Sequence, residues 1–263
     1  MRSHSTEWYH RLSTLQHGYY YPWQSHVAPG NGEDAYYELV MQHLGPTVDL
    51  LDVACGHGAL TLEFARHCRS AFGYDLIPSY IEIAQATARE QQIDNVRFVT
   101  YNSSIPANNG RAHIPAEDDS FDLLICSKGP FHWVEDARRV ARAGATLIML
   151  IPDTRPMPPW HHLLPPALQW SVGTDPNWAR NVMEPRLAKS GLSIHSWWSF
   201  DVPEYFTEPK ELYTMLVWGH TADEKPPYTE VASELETIFA EYATPEGLAL
   251  RHRRYLWKAV VPR

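Results

Sequence analysis

The densest group of residues able to do chemistry is Asp52-Val53-Ala54-Cys55-Gly56-His57-Gly58, which closes a short apolar run and opens a helical pattern. Glycines at 56 and 58 let a ligand approach the backbone without Cβ interference, and a helix N-terminus adds free N–H donors and positive potential. Seventeen residues beyond Gly58, Asp75 ends a second apolar run, where a carboxylate can accept hydrogen bonds from both hydroxyls of a ribose. Together these residues describe a nucleoside-like ligand laid across strand ends. The bland alternatives are a tight turn and a helix cap. Thr61 stands where a dinucleotide fingerprint wants its third small residue, and no Gly-Lys-Ser/Thr follows, which excludes a P-loop.

At these residues the sequence resembles the class I S-adenosylmethionine-dependent methyltransferases, whose first motif is an acid, a small residue and G-x-G. Here these are Asp52, Ala54, Gly56 and Gly58, and the resemblance runs from about Val48 to Ile151. Asp75 matches the ribose-binding acid, and Asp119-Ser120-Phe121-Asp122-Leu123-Leu124 matches the run into the fourth strand. The resemblance implies that Gly56 and Gly58 adjoin the methionyl part, Asp52 helps hold its ammonium end and Leu76 packs on adenine. Cys55, His57, Ser103, Ser127 and Lys128 complete the implied cofactor set. One departure stands out: where the family often carries an Asp for the adenine amino group, this chain has Asn102, whose amide oxygen can still accept that bond.

Methyl transfer from a sulfonium is an in-line displacement, so the protein must align the acceptor, exclude water and, where needed, remove a proton. In the resembled fold the residues after the fourth strand adjoin cofactor and acceptor, and here they are Ser127-Lys128-Gly129-Pro130-Phe131-His132-Trp133. His132 could serve as general base, since imidazole titrates near neutrality; the alternative is a histidine that caps a helix or bonds backbone. Lys128 could meet the cofactor carboxylate or an acidic acceptor. His161-His162 beside Trp160 lacks a third ligand at helical spacing, so no metal site is expected. Candidates for the acceptor wall are Tyr20, Tyr21, Trp23, Phe131, Trp133, Trp160, His161 and Trp218, with Trp197 and Trp198 as further aromatics.

The elements that must hold these residues follow from the hydrophobic pattern. Strands are expected at Val48–Ala54, Ala71–Tyr74, Val96–Tyr101, Phe121–Cys126 and Ala145–Ile151, alternating with helices, which favours a parallel sheet covered on both faces. Later helices are expected at Trp160–Trp170, Trp178–Leu192, Pro209–Gly219 and Tyr228–Tyr242, and further strands at Ser193–Tyr205 and Tyr255–Val261. The expected architecture is a Rossmann-like, doubly wound, mostly parallel α/β sheet. The resemblance implies seven strands, one of them antiparallel. Residues 1–46 would form an N-terminal helical cover, 47–151 the cofactor-binding core, and 152–263 lid insertions and the last strands. Seven of ten tryptophans and 14 of 21 prolines lie from Pro152 onward, outside that core.

A formal charge of −9 has the wrong sign for a protein that clamps nucleic acid, and three scattered cysteines fit a reducing compartment. No run reaches the roughly 18 apolar residues of a membrane span, and a cytoplasmic monomer or homodimer is expected. The reading is methyl transfer to a small aromatic or hydrophobic acceptor. Its rivals are an RNA methyltransferase, an NAD-dependent oxidoreductase and a non-catalytic cofactor-binding protein.

Overall fold

The computed structural model describes residues 5–171 and 173–263; residues 1–4 of the expected N-terminal cover lie outside them. Chain order gives α1 (Thr6–Leu15), β1 (His26–Val27), α2 (Glu33–Met41), β2 (Asp49–Val53), α3 (Ala59–Ala65), β3 (Ser70–Asp75), α4 (Pro78–Glu90) and β4 (Val96–Thr100). There follow β5 (Phe121–Ser127), α5 (Val134–Val140), β6 (Ala141–Pro152), α6 (Trp178–Lys189), β7 (Ile194–Phe206), α7 (Pro209–Val217), α8 (Tyr228–Tyr242) and β8 (Leu248–Val260).

The strands form one sheet of eight in the order β4-β3-β2-β5-β6-β8-β7-β1. From β4 to β6 neighbours are parallel, while β8 runs antiparallel to both β6 and β7. The expected seven strands become eight because His26 and Val27 pair with Tyr205 and Glu204 at the β7 edge, a two-residue bridge too short to show as a period in sequence. The antiparallel strand starts at Leu248 rather than Tyr255, since Arg251, Arg253 and Arg254 hide its alternation among charges.

All five residues of β2 are buried, as a central parallel strand requires. Alternate residues feed opposite faces. Leu51, Val53, Leu124, Cys126 and Met149 pack with Ala137 of α5 and Met183 and Leu187 of α6. Leu50, Ile125, Ile148 and Leu256 pack with Tyr36 of α2, Leu62 of α3 and Ile81 of α4. A third cluster lies beyond the parallel core, where Phe206, Leu248 and Leu250 meet Leu212 of α7 and Leu235 of α8.

The helix expected over Trp160–Trp170 is instead two short 3₁₀ turns, Pro159–Leu163 and Pro166–Leu168. Pro165 and Pro166 remove the N–H groups a continuous helix would use. α5 stops at Val140, and β6 begins at Ala141 by pairing with Phe121, four residues before the expected Ala145.

Candidate functional site

Cys55 N–H bonds the Tyr74 carbonyl at 3.0 Å, pinning the turn after β2 to the neighbouring strand. Gly58 then starts α3 at φ +82°, and a Cβ there would lie 2.8 Å from Ala84 Cβ and 2.9 Å from the Phe98 ring. Only glycine fits. Ala54 and Lys128 hold left-handed φ of 54° and 60° just past the ends of β2 and β5. Such strain in non-glycine residues concentrates at functional sites. Between them Gly129 comes so close that a Cβ would sit 2.6 Å from Cys126 Sγ and 3.0 Å from Ala54 Cβ.

The Asp75 carboxylate accepts Gly56 N–H at 2.9 Å on one oxygen and Ile77 N–H at 3.0 Å on the other. Each carboxylate oxygen keeps a lone pair, so the group can still receive two hydroxyls. Burial raises its pKa, against the pull of those backbone donors. Asp52 is buried too, and Thr61 Oγ1 donates to it at 2.5 Å. Burial pushes the Asp52 carboxyl up to about 7, with the Thr61 bond opposing and Asp75 reinforcing the shift. A cation placed nearby would draw both acids toward ionisation. Leu76 is half-buried beside Asp75.

Beyond β4, Asn102 Oδ1 accepts Ser104 N–H at 3.0 Å, so one lone pair is committed to the turn. Ser103 is buried, and its hydroxyl lies 3.0 Å from His132 Nε2. Burial lowers the His132 pKa, with Arg186 adding to the effect and Glu135 opposing it, which keeps the ring neutral near pH 7. Ser127 ends β5 half-buried. Lys128 Nζ lies 3.3 Å from Glu33 and 5.5 Å from the centroid of the Tyr21 ring. The Cys55 and Cys126 thiols are pushed up by burial, which keeps them protonated and unreactive.

His57 Nδ1 accepts Tyr19 N–H at 3.1 Å, which lays the segment after α1 against the glycine turn. There Tyr19 and Tyr21 meet Trp218 at centroid distances of 5.7 and 5.2 Å, and Trp23 stacks on Tyr21 at 4.8 Å. Trp218 Nε1 donates to Gln16 at 3.1 Å. The fold thus brings Tyr21, Trp23 and Trp218 together from segments almost 200 residues apart, while Tyr20 remains 49% exposed beside them.

Other wall candidates have different places. Trp133 is fully buried and stacked on Trp257, so it packs the sheet rather than facing an acceptor. Trp160 is buried in the third cluster, its Nε1 on the Ala249 carbonyl. His161 accepts Trp170 N–H at 3.1 Å, and Phe131 lies edge-on to Trp178 of α6. Trp197 is exposed, stacked on Tyr255 and covered by Arg180, away from the aromatic group. Tyr19 opens the aromatic run that continues through Tyr20, Tyr21 and Trp23, whereas local pattern marks neither Tyr36 nor Tyr80. Tyr36 and Tyr80 carry buried hydroxyls without a hydrogen-bond partner among the described residues, and both are electrostatically coupled to the site acids.

A model described as a methyltransferase domain matches residues 50–148, the stretch that carries the turn, Asp75, Ser103 and Lys128. The domain belongs to the class I S-adenosylmethionine-dependent methyltransferase family. This methyltransferase domain is 30% identical over 100 residues to the uncharacterized methyltransferase YcgJ of Bacillus subtilis, covering 38% of this chain and 36% of that protein. It is 34% identical over 110 residues to the ubiquinone biosynthesis O-methyltransferase of Albidiferax ferrireducens, covering 41% and 40%. The chain therefore matches well under half the length of these curated relatives. A functionally unknown protein from Deinococcus radiodurans shares the fold at 18% identity and a TM-score of 0.63, over 95% of this chain and 94% of the other. Among the described residues no helix is long and apolar enough to cross a membrane.

Proposed function

We propose that the protein transfers a methyl group from S-adenosylmethionine to a small-molecule acceptor, with residues 1–46 and 152–263 shaping the acceptor side around the domain. The observation that carries this reading is the hydrogen bond from Gly56 N–H to Asp75, which sets a buried carboxylate beside a turn that admits no side chain at Gly58. When bound, the cofactor supplies an electrophilic methyl on a sulfonium. Asp75 would receive the ribose hydroxyls, Leu76 and Asn102 would hold the adenine, and Gly56 with ionised Asp52 would hold the methionyl end. Tyr19, held on His57 of the turn, with Tyr21, Trp23 and Trp218 against it would exclude water, which in-line transfer needs. His132, neutral at pH 7, is the base we assign for acceptors that must lose a proton.

Two features weigh against the rivals. Thr61 fills the place of a third glycine and is spent on Asp52, which disfavours a dinucleotide. The acidic chain does not suit RNA. Calorimetry with S-adenosylmethionine and with its demethylated product tests the reading, and heat from neither would sink it. A screen with labelled methyl groups then separates an enzyme from a protein that binds the cofactor without transferring anything.

A further inference from the structure

Between α1 and β1, residues 16–23 run over the turn after β2 as a strap tied at both ends. Before it, Arg11 of α1 pairs with Glu224, and after it Gln24 N–H donates to Glu211 of α7 at 2.7 Å. Gln16 stiffens the crossing: its amide nitrogen donates to the Gly18 carbonyl at 3.0 Å and to the Tyr20 carbonyl at 2.9 Å, while its oxygen accepts Trp218 Nε1. The strap lies directly on the glycine turn. A Cβ at Gly56 would stand 3.8 Å from Tyr19 Cβ, and one at Gly18 would stand 3.7 Å from His57 Nδ1 and 4.0 Å from Ile83 of α4. Tyr19 also meets Tyr80 of α4 at a centroid distance of 6.2 Å, and Tyr21 lies against Lys128 beyond β5.

Among the described residues, the bond from Tyr19 N–H to His57 Nδ1 is the one hydrogen bond that joins residues 17–23 to the parallel core. A backbone N–H can only donate, so Nδ1 must offer a lone pair and the ring proton must sit on Nε2. An imidazolium has no acceptor nitrogen and cannot keep this bond. The groups around the ring leave the titration to His57. His17 of the strap opposes its protonation, burial keeps the Tyr19 and Tyr80 hydroxyls protonated, and Asp75 is engaged with Gly56 and Ile77. At the strap's anchor, Arg11 holds the Glu224 carboxyl down to about 2, so that pair stays charged.

We propose that His57 is a latch: while its ring is neutral it holds residues 16–23 closed over the cofactor, and a proton on Nδ1 frees the strap and speeds cofactor exchange. The inference rests on the methyltransferase reading above, which places the cofactor on this turn. His57 is then a positioning residue that acts through Tyr19 where water has to be excluded. The sign follows from burial. With the strap closed, the ring lies partly out of water and beside His17, which lowers its pKa; with the strap open, it returns toward its ordinary value. The closed form is therefore fully favoured above the ordinary imidazole pKa and loses ground as pH falls from there toward the depressed value.

The test measures amide hydrogen exchange of residues 16–23 in the full ligand-free chain between about pH 8 and about pH 5, each rate referred to the unstructured rate at that pH. On acidification, protection in the parent should fall about two- to tenfold relative to the parallel core, the scale of one hydrogen bond. His57→Asn, whose side-chain oxygen accepts the same N–H without titrating, should stay protected throughout, and His57→Ala should be weakly protected throughout. Gln16→Ala, which leaves the turn intact, should loosen the strap yet keep the parent's pH dependence. Release of S-adenosylhomocysteine, followed by displacement at one common pH where Asp52 contributes equally, should be faster from His57→Ala than from His57→Asn, and faster from Gln16→Ala than from the parent. Parent protection that ignores pH, or that falls equally in His57→Asn, overturns the latch. Equal release from Gln16→Ala and the parent overturns its hold on the cofactor. A parent chain that binds no S-adenosylhomocysteine would fall on the methyltransferase reading, while hydrogen exchange would still decide whether His57 latches the strap.

Discussion

Asp75 and Asp52 are both buried carboxyls at the end of a central strand, yet they ask for different tests. Asp75 holds the turn through Gly56 and Ile77 and has lone pairs to spare. Replacing it by Ala should weaken cofactor binding by about 1.5–3 kcal/mol, the scale of hydrogen bonds to a charged group. Equilibrium dialysis showing an unchanged Kd would remove Asp75 from the site. Asp52, with its carboxyl near 7, is half protonated at neutral pH until a cation arrives. Cofactor affinity should therefore fall by up to about tenfold per pH unit below 7, as proton and cofactor compete for the same carboxylate. Asp52→Asn should bind weakly at every pH and show no such slope; a parallel slope in the variant would assign the titration to another group.

At the scale of elements, the glycine turn and the cover can be probed apart. Gly58 and Gly30 both hold positive φ, +82° and +77°, but a Cβ at Gly30 would meet nothing within 4 Å. Gly30→Ala should cost about 1–2 kcal/mol from backbone strain alone. Gly58→Ala adds the collision with Ala84 and Phe98, for a total of about 2–5 kcal/mol with overpacking included. Urea denaturation reads both losses, and equal losses would mean that the close approach of α4 and β4 to the turn is not stiff. The cover hangs on Trp218, which touches Trp8, Tyr19, Tyr21 and Trp23 and bonds Gln16. Trp218→Ala should leave the parallel core protected from hydrogen exchange while amides of α1 and residues 16–23 exchange faster. Unchanged protection there would show that α1 is held by other contacts.

For the molecule as a whole, the two ends of the sheet respond oppositely to pH. At the N-terminal end of β2, Arg69, with Ser70 and Arg142, holds the Asp49 carboxyl well below the usual carboxylate range. That contribution is present above the ordinary carboxylate pKa and is lost as pH falls through the depressed value. At the other end, burial raises Asp52 and Asp75, so the folded chain holds their protons more tightly than the unfolded chain does. Their contribution is complete in acid and fades as pH rises, for Asp52 through about 7. Without cofactor, thermal stability should accordingly peak in mildly acidic solution, and cofactor should move the maximum toward neutrality. A scan of Tm against pH with and without ligand checks this, and a maximum that does not move would detach Asp52 from the cofactor.

The sequence by itself determined the α/β alternation, the turn from Asp52 to Gly58 and the strand-end place of Asp75, because each depends on period, glycine and spacing over some twenty residues. It also marked Tyr21, Trp23 and Trp218 as residues of one kind, though nothing local said that they touch. Tertiary structure decided the rest. It buried Trp133 and Trp160 among the core side chains and turned His161 onto a backbone amide, since residue type does not say which face of an element meets the sheet. It built β1 from two residues that count only because β7 offers them an edge. It also gathered Glu33, Lys128, Glu204 and Arg254 from four separate segments around His252. Charge balance between distant segments leaves no period in a chain; it exists only once the sheet has brought them together.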